Sequence, residues 1–287
     1  MSRPTKEPRR ILAPNPSALT GPGTNSFLIG THEVAVIDPG PDDPGHLARI
    51  VEAAQGRISH IFVTHAHRDH SAGAAGLSRL TGAPVLAFGD ALSGRSPVMQ
   101  KLAAQGLVGG GEGLDMDFAP DRLLRDGDCV ETSEWALTAL HTPGHCGGHL
   151  SFLWQDSLFC GDVVMGWSTT IISPPDGDLV DYFRSLDRMV QMAPRRLLPA
   201  HGDPVEAPSH RIAELAAHRR ERSAQILAAL RERPDDATGL AGRIYDVGPE
   251  LLGAAARNVL AHLIALSTLG AVTALDEIGA EARFAAL

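Results

Sequence analysis

IFVTHAHRDH, residues 61–70, places His65, His67, Asp69 and His70 within six residues, directly after an apolar run. In extended chain alternate side chains share a face, so His65 and His67 can reach one ion together. Asp69 and His70 follow where the chain turns toward a helix starting near Ser71, and face a second position beside the first. A His/Asp set without thiolate suits zinc, and Mn or Fe almost as well. A lone histidine is ordinarily a satisfied surface or core residue. Four ligand-type side chains in one short turn are not explained that way.

On both sides of this segment, short strand-like runs alternate with helical patches. Residues 27–30 (FLIG), 34–38 (VAVID), 58–65 (ISHIFVTH) and 84–89 (PVLAFG) read as strands. Residues 46–56 and 71–82 carry helical apolar spacing and stop at Gly56 and Gly82. Residues 91–126 show little regular pattern, and 106–121 (GLVGGGEGLDMDFAPD) read as a Gly-rich acidic loop near a site mouth. Strands resume at 135–142, 150–154, 157–162 and 195–204, with an amphipathic helix over 181–192. This is an α/β layered pattern. Near residue 205 it changes to three helical stretches, 210–233, 237–247 and 249–270, then two short strands around Ile278–Gly279. That order is a winged-helix pattern. The reading divides the chain into residues 1–205 and a small domain, 206–287.

Composition bounds the function. The 287 residues are 44% hydrophobic with 30 Gly and 20 Pro, which fits a loop-rich globular chain. A net charge of −9 and a pI near 5.8 weigh against a dedicated nucleic-acid binder. Three cysteines without framework spacing point to a reducing compartment. The start, MSRPTKEPRRILAPNPS, lacks the apolar centre of a signal peptide. No run reads as the ~18 apolar residues of a membrane span. A cytoplasmic location without a membrane partner is therefore expected.

Two ions need more ligands than one motif offers. Three further candidates stand at the ends of apolar runs: His145 in HTPGHCGGH (141–149), Asp162 in LFCGD and His201 in LLPAHGD. Four strand-to-loop transitions that each end in a ligand-type residue predict one shared site. Cys146 and Cys160 lie beside it and read as packing residues.

These motifs resemble those of the metallo-β-lactamase superfamily. THAHRDH resembles its HxHxDH signature, TPGH with the GH at 148–149 its second motif, and CGD and PAHG its third and fourth. Over residues 15–205 the resemblance implies a four-layer αββα sandwich with a two-metal site at one edge. It implies that His65, His67 and His145 hold one zinc ion, that Asp69, His70 and His201 hold a second, and that Asp162 bridges them. Asp69 would also act in catalysis by orienting the nucleophile. Asp38 in VIDPG resembles an acidic residue that supports a ligand imidazole; a turn residue at a strand end is an equal reading. His149 contacts substrate or a ligand, or is structural. IYDV, AHLIALSTLGAV, GTNSFLIG and SPPDGDLVDYFRSL resemble a subgroup with a C-terminal winged-helix domain, which includes an endoribonuclease acting on single-stranded RNA.

Two adjacent metals share and activate a water, so the reaction implied is hydrolysis. Single-stranded RNA phosphodiester is the first substrate expected and a small-molecule thioester, as in glyoxalase-II-like relatives, the second. β-Lactam cleavage ranks lower, because the bridging carboxylate position, Asp here, differs in true lactamases. A non-catalytic winged-helix regulator is the alternative of a different class. The tail arginines Arg211, Arg219, Arg220 and Arg222 read as a solvated face, and the third helix offers only Arg257 where a duplex reader would be basic. The small domain therefore reads as a lid or homodimer element, with double-stranded DNA disfavoured.

Overall fold

The computed structural model describes residues 7–111 and 113–287. The first six residues and Glu112, which belong to the basic start and the Gly-rich loop discussed above, lie outside the described residues. One sheet contains β1 (Arg9–Leu12), β2 (Asn25–Ile29), β3 (Val34–Ile37), β4 (Ile58–Phe62), β5 (Val85–Ala87) and β6 (Arg122–Leu123), in that order. β1 to β3 are antiparallel and β3 to β6 parallel. The second sheet runs β11 (Arg196–Pro199), β10 (Ser157–Gly161), β9 (Leu150–Trp154), β8 (Ala136–His141), β7 (Cys129–Glu131).

Alternation along the strands sets the layers. Phe27, Ile29, Ala35 and Ile37 point toward the second sheet and pack with Leu137, Ala139, Phe152 and Phe159. Their neighbours Leu28, Val34 and Val36 point the other way, against α1 (Pro44–Ala53) and α3 (Gly73–Thr81) through Leu47, Ile50, Ala74 and Leu77. On the outer face of the second sheet, Leu140, Leu158 and Leu197 meet α5 (Leu179–Met192) through Leu179, Tyr182 and Leu186. The result is the αββα sandwich expected from the sequence. Gly82 caps α3 in the left-handed region, as its position after the last apolar residue predicts.

The C-terminal part comprises α6 (Pro208–Glu232), α7 (Ala237–Ile244), α8 (Pro249–Thr268) and the hairpin of β12 (Val272–Ala274) with β13 (Phe284–Ala286). The winged-helix order is therefore present, and two of its helices also pack into the core around α5. The first half of α6 gives Ile212, Leu215 and Ala216 to the core around α5. Its second half gives Ile226 and Leu230 to the core of the small domain, with Leu240, Val259, Leu263 and Phe284. α8 is likewise buried on two sides, Ala261 and Ala265 in the first core and Leu260 and Ile264 in the second. Double burial explains its composition. Residues Leu251–Thr268 reach a mean hydropathy of 1.3, long and apolar enough to cross a membrane, yet half of that stretch is packed inside the fold.

Two expectations need correction. Residues 91–126 hold a helix, α4 (Pro97–Ala104), whose Met99 and Leu102 enter the small-domain core. Arg211, Arg219 and Arg222 of α6 do not form a solvated face, whereas Arg220 is exposed. Arg219 is only 4% exposed and bonds Asn258 Oδ1 at 2.8 Å and the Thr170 carbonyl. Arg211 bonds the carbonyls of Met165 and Ser168 at 2.8 and 2.7 Å. Arg220 and Arg222 lie over the rings of Phe183 and Tyr245. Phe284 is fully buried between the hairpin and the helices. Phe284→Ala should cost about 3–5 kcal/mol of unfolding free energy, measured by denaturant titration followed by circular dichroism.

Candidate metal centre

The site assembles at strand ends. β4 ends at Phe62 and leads through Val63 and Thr64 to His65 and His67. The short helix α2 (Arg68–Ser71) then carries Asp69 and His70. His145 follows β8, Asp162 follows β10 and His201 follows β11. All seven of these residues are buried. They form three overlapping groups, His65 with His67 and His145, His65 with His70 and Asp162, and Asp69 with His70 and His201, in each of which the ligand atoms lie within 4.8 Å of one another. The structure thus brings together every ligand candidate that the sequence pointed to.

Within the first group, His65 Nε2 and His145 Nε2 each lie 2.9 Å from His67 Nδ1. In the other, Asp69 Oδ2 lies 3.2 Å from both His70 Nε2 and His201 Nε2. Asp162 stands between them, with Oδ2 3.5 Å from His70 Nε2 and 3.6 Å from His145 Nε2, and Oδ1 3.4 Å from His201 Nε2.

The far nitrogens of His65, His70, His145 and His201 are held by different devices. His70 Nδ1 donates to Asp38 Oδ2 at 3.0 Å. Asp38 also accepts the Thr64 amide at 2.7 Å and the Thr64 hydroxyl at 2.8 Å. That hydroxyl lies 3.0 Å from His65 Nδ1, so one carboxylate orients two imidazoles, one of them through Thr64. His145 Nδ1 is bound to the Ile171 carbonyl at 2.8 Å and His201 Nδ1 to that of Gly23 at 3.3 Å. Thr24 donates to Asp69 Oδ2 at 3.3 Å. His149 is fully buried: Nδ1 lies 3.0 Å from Thr142 Oγ1, and Nε2 accepts the Asp162 amide at 3.3 Å. Gly161 stands at φ +49 directly against that ring, and a Cβ there would strike it.

Thr64, Thr24 and the carbonyls of Ile171 and Gly23 were not singled out in the sequence. A threonine beside a histidine reads as an ordinary strand former, and a carbonyl carries no residue signature at all. Cys146 and Cys160 are buried, and burial raises the Cys146 thiol to about 12, which suits packing rather than ligation.

Charge divides the cluster. Burial, with neighbouring imidazoles adding to it, holds His65 well below its ordinary value and His67 down to about 3. Burial also acts against a charged His70 and His201, but the surrounding carboxylates outweigh it. Asp69, Asp162 and Asp38 hold His70 well above its ordinary value, and Asp162 lifts His201 to about 10. Despite these contacts, Asp69 Oδ1, His70 Nε2 and Asp162 Oδ1 are buried without a hydrogen-bond partner among the described residues. Buried polar atoms left this way are rare and costly. Two carboxylates and an imidazole that keep such atoms, within groups whose ligand atoms lie within 4.8 Å of one another, are donor types a divalent cation satisfies, so these residues fit metal ions.

Comparison with known proteins agrees with this geometry. Residues 19–201 match the metallo-beta-lactamase superfamily and residues 237–280 the beta-lactamase associated winged helix domain. The chain belongs to the metallo-beta-lactamase superfamily. Within it, the chain is 30% identical over 282 residues to the beta-lactamase-like protein 2 homolog of Drosophila melanogaster, covering 94% of this chain and 91% of that protein. It is 29% identical to an atrochrysone carboxyl ACP thioesterase of Aspergillus chevalieri, covering 78% of this chain and 65% of that one. A solved metallo-beta-lactamase family protein of Thermus thermophilus shares the fold with a TM-score of 0.77 at 23% identity, over 98% of both chains.

Asp38→Asn keeps the shape of the side chain and removes its charge. It should weaken divalent-metal affinity about 10–100-fold, read by competition with a chromogenic chelator.

Proposed function

We propose that this protein is a binuclear metal-dependent hydrolase. The observation that carries the reading is the set of seven buried ligand-type side chains around three unpartnered polar atoms. His65, His67 and His145 would hold one zinc ion, Asp69, His70 and His201 a second, with Asp162 reaching both. Manganese or iron would suit the same donors. Bound there, the pair of cations supplies a water nucleophile at neutral pH and polarises the bond under attack. Asp69 would orient that water, with its Oδ2 accepting from the Thr24 hydroxyl. Asp38, Thr64 and His149 hold the ligands in place and touch no substrate.

Among scissile bonds we favour an acyl thioester. The side chains of Leu19 and Ile171 rim a cleft of about 300 Å³ beside the site. That is room for one flexible arm, and the net charge of −9 opposes a long polyanion. The relative named as an ACP thioesterase supports the same choice. Single-stranded RNA is the second reading, favoured by Trp167. Its indole is 46% exposed and lies against Gly202, next to His201, where a base could stack. In either case the small domain acts as a lid at the cleft rather than a reader of double-stranded DNA, and a homodimer contact on it is compatible with this role.

Acetyl-pantetheine thioester and a single-stranded RNA oligonucleotide, assayed side by side on zinc-loaded protein, decide the bond. Asp162→Ala should reduce the real activity by about 100-fold or more, and full activity in that variant would overturn the binuclear reading. Proton release provides a second check. Ligation needs neutral imidazoles. His70 and His201 are protonated at pH 7 in the metal-free protein because their pKa values are raised, whereas His65 and His67 are neutral because theirs are lowered. Filling the position beside Asp69 should therefore release about two protons, and its affinity should fall steeply as pH is lowered from 8 to 6.5. At the other position His65 and His67 should contribute no such release. Calorimetry in two buffers of different ionisation enthalpy reads both.

A further inference from the structure

The cleft beside the metal centre is closed by parts of both domains. Loop residues Gly110 and Gly111 form one wall, Ile171–Ser173 another, and Ala254, Arg257 and Asn258 of α8 a third. Two of these walls are continuous with the site. The Ile171 carbonyl binds His145 Nδ1 at 2.8 Å, and Thr170 donates to the Asp162 carbonyl at 2.9 Å. The loop that carries Gly110 returns through Gly113, whose carbonyl accepts the Arg68 amide, and Leu114, which bridges to His67.

The charge of this cleft is opposite to that of the chain. Among the described residues its lining includes Arg219 and Arg257 and no carboxylate, in a sequence with 34 acidic residues and 25 lysines and arginines. The two guanidiniums differ. Arg219 spends its donors on Asn258 and the Thr170 carbonyl, so it contributes field and fixes the wall. Arg257 has neither an ion pair nor a hydrogen bond among the described residues. It is nevertheless placed, because its Nε would lie 2.9 Å from a Cβ built on Gly110 and its Cζ and Nη2 3.3 Å away. The guanidinium thus rests against the glycine loop at the rim of the cleft with its fork unspent.

We propose that Arg257 and the Gly110 loop form a phosphate-binding subsite that holds the charged end of the substrate while its scissile bond reaches the metal centre. The proposal rests on the hydrolase reading for the direction of entry. A phosphate monoester or diester fits best, since the guanidinium fork matches its oxygens and Arg219 behind it adds to the potential. The exposed side chains of Leu19 and Ile171 give the cleft apolar walls, as an uncharged spacer in the substrate would require.

The test compares matched ligands by calorimetry on the full zinc-loaded chain: 4′-phosphopantetheine against pantetheine, and uridine 3′-monophosphate against uridine. Each pair differs only in the phosphate, and both pantetheines carry the same thiol, so any thiol contact with metal cancels. At least one phosphorylated member should bind about tenfold more tightly than its neutral partner. Arg257→Ala should erase that preference and Arg257→Lys restore part of it, at an unchanged melting temperature and zinc content. The pair showing the larger preference identifies the phosphate as that of a carrier arm or of RNA. Equal binding within both pairs, or a preference that survives in Arg257→Ala, overturns the subsite. Binding does not depend on turnover. A chain that shows the Arg257-dependent preference but cleaves neither thioester nor RNA would keep the subsite and lose the proposed reaction; the converse result would separate them the other way.

Discussion

The metal-binding end of the fold depends on one buried carboxylate. Asp38 sits at the end of β3 with a positive φ of 53°, a backbone state that costs a non-glycine residue roughly 1–3 kcal/mol. Hydrogen bonds to an ionised group, each worth about 1.5–3 kcal/mol net, offset that cost, and Asp38 makes three. Two lock the chain between β4 and His65, and one fixes the ring of His70. Without the turn at Asp38, the segment after β4 would have no reason to hold His65 and His70 toward a common point.

Around that anchor the protein concentrates ionisable groups in its interior. Carboxylates and imidazoles are buried together, and the low dielectric strengthens every attraction and every mismatch between them. The carboxylate-rich side holds protons on His70 and His201, and the imidazole-rich side stays neutral. An interior selected for stability alone would replace such a cluster with apolar side chains of similar size. Its persistence beside an otherwise well-packed core marks a place shaped for a ligand.

The legible part of this structure is where chemistry restricts residue type. Ligand side chains come from a short menu, so His65, His67, Asp69, His70, His145, Asp162 and His201 stood out and proved to be neighbours. Phe27–Ile29 and Val34–Ile37 stood out as strands because both of their faces are buried and every position is apolar, which marks a strand but leaves the order of the layers to the family resemblance. The hidden part is where the constraint is relational. α4 has eight residues next to a Gly-rich stretch, too short for its periodicity to register, and it is held by a core built from residues more than a hundred positions away. Arg219 looks like any exposed helical arginine until Asn258 and Thr170 are known to face it. Ile171 supports His145 through a carbonyl that any residue would supply.

The sharing of α6 and α8 between two cores has a mechanical consequence. A helix whose first half belongs to one hydrophobic cluster and whose second half belongs to another acts as a rigid beam, and displacement at either end is felt at the other. Arg219 on that beam grips the Thr170 carbonyl, and the neighbouring Ile171 carbonyl holds a histidine of the metal centre. The C-terminal helices therefore act less as an appendage than as part of the frame on which the reactive end is aligned, and loosening them would be expressed as misalignment there well before either half lost its fold.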